Sequence, residues 1–114
     1  MATIIAQQIT QAGLTATTVT PEAAGDKLAN TAIQFFHVQN GSAEAITATV
    51  IPVVTTVVDP LLWTLVKENA VLSLAAYEEG YLGPFEVDAF NDVDGNIKIT
   101  CSATASVKLS ALYL

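Results

Sequence analysis

The last third of the chain, residues 81–114, alternates between apolar and polar side chains, and this period of two most constrains the fold. Ile97, Ile99 and Cys101 occupy alternate positions of one run, and residues 107–113 repeat the pattern in a second run. Because successive side chains of a strand point to opposite faces of a sheet, the pattern predicts two half-buried strands. The fold is therefore expected to rest on sheets, with the second strand running to the last residue.

Turn residues divide the rest of the chain into further short runs of strand character. Asn40-Gly41 is a strong hairpin-type turn signal at the end of one of them. Seven to nine short strands joined by turns predict an all-β fold, either an antiparallel β-sandwich or a jelly-roll-like barrel. No linker or charge block interrupts the 114 residues, so a single domain over 1–114 is expected. The predicted runs are residues 3–9, 14–20, 32–39, 46–51, 53–58, 70–77 and 81–85.

Two segments have features of a short helix. Thr20 and Pro21 are a typical cap and first helical residue, although Gly25 follows too soon for a long helix. After Asp59, residues 60–68 place apolar side chains at helical spacing, but a run this short is equally compatible with a strand. The sequence leaves this second segment open between the two.

The composition is too apolar for a domain of this size to bury completely. Apolar residues make up 52% of the chain and charged residues 13%, whereas about 25% charged is typical. A chain of this length buries roughly 65% of its extended surface. Part of the apolar surface is therefore expected to be covered by another subunit or partner.

The charge balance argues against nucleic acids and membranes as partners. The chain has 11 acidic residues, four lysines and no arginine, with a net charge of −7. Binding to nucleic acid or to anionic lipid relies on a basic patch, which four scattered lysines do not supply. The apolar segment 46–58 is interrupted by threonines and Pro52, and a membrane span needs about 20 apolar residues. The start lacks the basic region of a signal peptide, so folding in a cytosol is expected.

The segment around Asp92 and Asp94 is the nearest approach to a metal motif. Two aspartates one residue apart before Gly95 resemble the opening of a calcium loop. The distal glutamate of such a loop is missing, and aspartate or asparagine before glycine is also what a tight turn requires. A turn is favoured, and no metal or cofactor is expected.

The remaining reactive residue types also favour structural roles. His37 is the only histidine, and no nucleophile or acid lies beside it in sequence, so a hydrogen-bonded sheet histidine is expected. Cys101 is the only cysteine and has the apolar parity of its strand, which predicts a small buried side chain in a reduced compartment. Glu78 and Glu79 would point to opposite faces of a strand and are expected in a solvated turn. No catalytic residue is predicted.

One apolar cluster is a candidate interface. Its residues follow Pro60 and include the only tryptophan of the chain. A tryptophan among leucines on a connecting segment can insert into a neighbouring subunit. The alternative, in which the tryptophan caps the core of the sandwich, stays open. The candidate interface residues are Leu61, Leu62, Trp63 and Leu65.

Several short motifs together resemble small structural proteins of tailed-phage virions, the group that includes head decoration (cement) proteins. The likeness covers most of the chain, whereas residues 51–68 are longer and more apolar than in that group. The motifs are turn and strand patterns without chemistry. They are Gly83-Pro84-Phe85, Ala89-Phe90-Asn91-Asp92 and Gly95 before the two last strands, together with residues 4–9, Gly25-Asp26-Lys27 and residues 35–41.

The resemblance implies a bacteriophage capsid decoration protein without enzymatic activity. Such a protein would be made in the host cytoplasm and would cement the head surface by binding across capsid-subunit junctions. The implied partners are the major capsid protein and copies of the chain itself, as a homotrimer. The alternative is a structural or receptor-binding module of the tail or baseplate, since sandwich folds host many such sites.

Overall fold

The computed structural model describes residues 2–53, 56–59, 63–66 and 68–114, with the backbone alone for 56–59 and 63–66. The described residues form short strands and one four-residue helix, so the predicted all-β class is confirmed. None of the helical structure among these residues is long and apolar enough to cross a membrane. In chain order, the elements are β1 (Ala2–Ile4), β2 (Ala6–Gln8), β3 (Asp26–Ala29), β4 (Phe35–Asn40), β5 (Ile46–Val50), β6 (Thr56–Asp59), β7 (Trp63–Val66), β8 (Ala70–Leu74), β9 (Glu79–Leu82), α1 (Val87–Phe90), β10 (Asn96–Cys101) and β11 (Val107–Tyr113).

Nine of these strands form the two sheets of a sandwich. The five-stranded sheet has the order β1-β3-β10-β5-β8, and the four-stranded sheet has the order β2-β11-β4-β9. Neighbours are antiparallel except at one side of the sandwich, where β1 runs parallel to β3 and β2 runs parallel to β11. From β3 onward most connections cross between the sheets, so sequence neighbours such as β3 and β4 lie in different sheets.

The core lies between the sheets and follows the predicted period of two. In β10, Ile97, Ile99 and Cys101 are buried. Their counterparts on the facing sheet include Phe36 and Val38, both with no exposed surface. Burial of large apolar side chains, worth about 1.5–3 kcal/mol each, is the main term that holds the two sheets together.

Several local predictions are wrong in detail. Asn40-Gly41 does not close a hairpin, because β4 and β5 belong to different sheets. Residues 14–20 form no strand, and only Val19 pairs, as an isolated bridge with Leu109. The run around Thr20 and Pro21 leads into strand β3 and forms no helix. Tertiary pairing outweighs local propensity at these places.

The open alternative at residues 59–68 is resolved over part of its length. Residues Trp63–Val66 are strand β7, which pairs antiparallel with β6 in a separate two-stranded sheet. The helix alternative is therefore wrong for these four residues. The one described helix, α1, lies instead at Val87–Phe90, where no helix was predicted.

Candidate functional site

The buried side chain of Asn30 and the half-buried side chain of Asn91 tie together three loops beside α1. The Asn30 Nδ2 group donates to the carbonyl of Phe85 at 3.1 Å and to the Asn91 Oδ1 atom at 2.7 Å, and its Oδ1 atom accepts from the Ala32 N–H. The Asn91 Nδ2 group donates in return to the Asn30 carbonyl at 2.9 Å. We call these residues the asparagine pair. Because the amide groups of the pair are hydrogen-bonded to other groups of the fold, we infer that its role is structural.

Asp92 and Asp94 lie in the turn that the sequence predicts. The Asp92 Oδ1 atom accepts hydrogen bonds from the backbone N–H groups of Asp94 at 2.9 Å and Asn96 at 3.0 Å. These bonds, the one from Asn96 above all, hold the pKa of the Asp92 carboxyl below its ordinary value, although partial burial opposes them. Among the described residues, no group of three or more side chains suited to a metal ion comes together.

His37 lies on the outer face of β4, where Tyr81 of β9 stacks on it with ring centroids 4.7 Å apart. Its Nε2 atom is 3.7 Å from a carboxylate oxygen of Glu79 and makes no hydrogen bond within the described part of the chain. Ser110 is paired directly opposite His37 on β11, and its hydroxyl is also without a hydrogen-bond partner there. We call His37, Ser110, Glu79 and Tyr81 the β4 outer-face cluster.

The cluster brings together a hydroxyl, an imidazole and a carboxylate, but not in a catalytic arrangement. A nucleophile needs its base within hydrogen-bond reach, and Ser110 makes no such bond and is only 1% exposed. A cleft of about 250 Å³ opens over His37 and Tyr81 and is walled by apolar side chains that include Leu14 and Leu112. The expected hydrogen bond to His37 is not made at Nε2 in the described chain.

An apolar shelf lies at the end of the four-stranded sheet. It surrounds a depression of about 490 Å³ lined by Ile33, Phe35, Gly83, Pro84 and Leu114. Ile33 is 52% exposed, and the ring of Phe35 meets Tyr81 edge-on. We call Ile33, Phe35, Pro84 and Leu114 the apolar shelf. Sequence reasoning missed this surface because its members come from three separate segments.

The shelf requires glycine at position 83. Gly83 has φ +121°, and an added Cβ would lie 2.8 Å from the ring of Phe85 and 3.2 Å from Phe35. Phe85 itself is buried against Phe36 and Phe90. The Gly-Pro break therefore allows one aromatic side chain to enter the core while its neighbours stay at the surface.

Two of the four predicted interface residues belong to the two-stranded sheet of β6 and β7. Leu61 and Leu62 lie outside the described residues, and Trp63 and Leu65 belong to β7, opposite Asp59 and Val57 of β6. Among the described strands, β6 and β7 pair only with each other. A two-stranded hairpin is at best marginally stable alone in water, so further contacts are needed to stabilise it.

Cys101 and Asp26 are buried together in the five-stranded sheet. Burial of the thiol, with a smaller contribution from the Asp26 charge, raises the pKa of Cys101 to about 11, so that it stays protonated at neutral pH. Asp26 has no exposed surface, and its Oδ2 atom accepts from the Glu22 N–H at 3.1 Å. The predicted burial of Cys101 is confirmed.

Glu78 occupies the turn before β9, as predicted, and accepts a hydrogen bond from the Ala75 N–H. The turn predicted for Glu79 is wrong, because Glu79 is the first residue of β9, where it pairs with Gln39, although its side chain is 64% exposed. No family model matches the chain, and neither curated protein sequences nor solved structures include a match to it. Function must therefore be argued from these surfaces and from the sequence motifs.

Proposed function

We propose that this chain is a non-enzymatic structural protein of a tailed-phage virion that decorates and cements the capsid. It would bind across capsid-subunit junctions on the head surface. The observation that carries the proposal is the amount of apolar side chain that the sandwich leaves outside its core. The support from sequence is the set of turn and strand motifs that resemble small head decoration proteins.

Exposed apolar residues lie at several places on the surface of the sandwich. The apolar shelf contributes Ile33 and Leu114, which are 52% and 81% exposed. Ile51 and Val53, beside the segment that leads to β6, are also more than half exposed. A standard protein interface buries about 1,600 Å². Repetition of such a contact over a symmetric lattice would add stability that the bare shell lacks.

The proposed mechanism is physical reinforcement of the capsid, without a chemical reaction. A rigid sandwich would bind two or more capsid subunits at once and so oppose their separation. The partners proposed are the major capsid protein and copies of the chain itself, with a homotrimer as the expected assembly on three-fold lattice positions. The net charge of −7 would keep the unbound protein soluble before assembly.

Quantitative mass spectrometry of separated head and tail fractions of virions tests the location. Many copies per particle in the head fraction are expected. A few copies found only in the tail would contradict decoration, and absence from both fractions would contradict any virion role.

A binding assay with purified capsids tests the contact. Trp63→Ala is expected to weaken capsid binding at least tenfold, because large aromatic anchors dominate interface energies. Val93→Ala is a matched control, because Val93 is an exposed apolar residue in the turn beside the asparagine pair. Equal binding by both variants would remove the hairpin from the interface.

A tail or baseplate receptor-binding module is the second candidate. Tyr77, in the turn between β8 and β9, and Tyr81, within β9, are 72% and 63% exposed. Exposed aromatic rings of this kind are used to hold sugars and proteins. Glycan binding by the isolated domain that is lost in Tyr77→Ala would favour this candidate over decoration, particularly if the protein is found in the tail fraction.

A further inference from the structure

Strand β9 is the outermost strand of the four-stranded sheet, and one of its backbone edges pairs with no strand among the described residues. Its other edge pairs with β4, where the Asn40 N–H donates to the Glu78 carbonyl at 2.8 Å. In an antiparallel ladder, hydrogen-bonded pairs alternate with pairs that make no bonds to each other. Gly80 and Leu82 therefore bond to β4, whereas Glu79 and Tyr81 direct their N–H and C=O groups away from it.

Among the described residues, the unpaired edge of β9 has only part of the protection that is usual for sheet edges, since the strand is short and begins with the charged Glu79. Such edges are usually shielded by proline, lysine, a bulge or a covering loop. Within Glu79–Leu82 there is no proline or lysine, and its register with β4 is continuous.

The opposite edge of the same sheet, at β2, is partly covered by residues 17–19. The Gln7 side chain of β2 holds the backbone of Thr17 through two hydrogen bonds of 2.9 Å, and Val19 pairs with Leu109 beyond the end of β2. The open edge of this sheet in the described chain is therefore at β9.

We propose that β9 is a self-association edge, at which two copies of the chain pair antiparallel about a two-fold axis at Gly80. Glu79 of each copy would then lie opposite Tyr81 of the second copy. Both residues have outward N–H and C=O groups, so the two pairs would form four backbone hydrogen bonds and continue the sheet from one copy into the other. The contact does not depend on the virion role.

The charge of Glu79 selects this register. Pairing centred on Glu79 would place two carboxylates directly opposite each other, which is unfavourable. Pairing centred on Tyr81 would place Glu79 opposite Gly83. Gly83 lies outside β9, has a φ of +121° and is followed by Pro84, so it cannot continue the ladder. The neighbouring edge strand, β8 (sequence AVLSL), has no charged residue that would select a register in this way.

Gly80 suits the position on the two-fold axis. A Cβ at this residue would point toward Leu72 and Leu74 on the core side. The two glycines would face each other as a pair without mutual hydrogen bonds, the closer type of cross-strand approach, with no side chains between them. A two-fold contact of this kind differs from any three-fold contact within a trimer and would join neighbouring assemblies.

Sedimentation velocity over a wide range of concentrations tests the proposal. The wild type is expected to show a monomer–dimer equilibrium. Tyr81→Pro removes one outward N–H and leaves the β4 ladder intact, since proline is tolerated on an edge strand when its nitrogen faces solvent. It is expected to weaken the dimer at least tenfold relative to Tyr81→Thr, which lacks the ring but keeps the N–H. A monomer at every concentration, or equal association by both variants, would overturn the proposal.

Amide hydrogen exchange supplies a readout that does not depend on the folding of either variant. In the wild type, the amides of Glu79 and Tyr81 are expected to exchange more slowly as the protein concentration rises. Those of Gly80 and Leu82 are expected to be protected at all concentrations, because they bond to β4. Exchange at Glu79 and Tyr81 that does not change with concentration would contradict self-pairing, even if an oligomer is present.

Discussion

The asparagine pair and the β4 outer-face cluster are two groups of polar side chains that the sandwich treats in opposite ways. Asn30 is 3% exposed, and both its amide nitrogen and its amide oxygen are hydrogen-bonded. In the cluster, Ser110 is 1% exposed and its hydroxyl makes no hydrogen bond in the described chain, and neither does the Nε2 atom of His37. The first group holds loops in place, whereas the second leaves hydrogen-bonding capacity unused.

The difference separates polar residues that stabilise the fold from polar residues that cost it free energy. A satisfied buried amide contributes to stability and specifies one loop arrangement. An unsatisfied buried hydroxyl costs free energy, and it lies here on the sheet face that also presents Tyr81 beside an open strand edge. The polar groups beside α1 therefore stabilise the fold, whereas the Ser110 hydroxyl and the His37 Nε2 atom are buried without a partner in the described chain. The predictions below test this contrast.

Among the polar side chains of these two groups, replacement of Asn30 is expected to have the largest effect on stability. Asn30→Ala would leave the Phe85 carbonyl, the Asn91 Oδ1 atom and the Ala32 N–H without these bonds. A loss of about 2–4 kcal/mol in the free energy of unfolding is expected, since each buried unsatisfied group costs about 1–3 kcal/mol. Urea unfolding measures it, with Gln11→Ala at an exposed turn position as the control. A loss no larger than that of the control would show that the pair is dispensable.

Alanine substitutions at two glycines compare the stability cost of backbone strain alone with that of strain plus steric conflict. Gly83 beside the shelf and Gly95 beside the asparagine pair both have positive φ, but an added Cβ meets Phe85 at 2.8 Å in the first case and no atom within 4 Å in the second. Gly95→Ala is expected to cost about 1–2 kcal/mol from left-handed backbone strain alone. Gly83→Ala is expected to cost about 1–3 kcal/mol more, as overpacking does. Equal losses in thermal unfolding would mean that the shelf can rearrange freely.

The sequence predicted the parts of this fold that depend on a regular pattern. The alternation in 97–101 and 107–113 identified β10, β11 and the buried Cys101. It could not show that Asn40-Gly41 joins different sheets, because that depends on strand partners distant in sequence.

The candidate surfaces were less accessible to sequence reasoning. His37 and Ser110 are 73 positions apart in the chain and become neighbours only through the pairing of β4 with β11. Asp26, in a segment that showed helix and turn signals, proved to be a buried residue of β3. No sequence signal marks β3, because its residues read polar, polar, apolar, apolar, although their burial alternates in the structure.

Ser110→Ala removes the buried hydroxyl that has no hydrogen-bond partner in the described chain, and it is expected to be neutral or stabilising. Removing a buried hydroxyl that lacks a partner relieves a desolvation cost, so stability should change by about 0 to +1 kcal/mol. Ser102→Ala is the matched control, because its hydroxyl accepts a hydrogen bond from the Thr47 N–H at 2.9 Å. The control is expected to lose about 0.5–1.5 kcal/mol. If Ser110→Ala is the more harmful of the two, the Ser110 hydroxyl contributes to the fold and the contrast fails.

The smallest expected effect is the acid dependence that Asp92 contributes. Hydrogen bonds from the N–H groups of Asn96 and Asp94 favour its charged form and lower its pKa in the folded state. The unfolded state therefore takes up a proton at a higher pH, and the stabilisation is complete above the ordinary value of 3.8 and is lost as the pH falls toward the folded value. Asp92→Asn is expected to flatten the stability profile in that window, whereas Asp94→Asn should leave it unchanged, because Asp94 enters this turn through its backbone N–H. Equal flattening by both variants would show that the turn responds to total charge, and the hydrogen bonds to Asp92 would then not be what orders the loop beside Asn91.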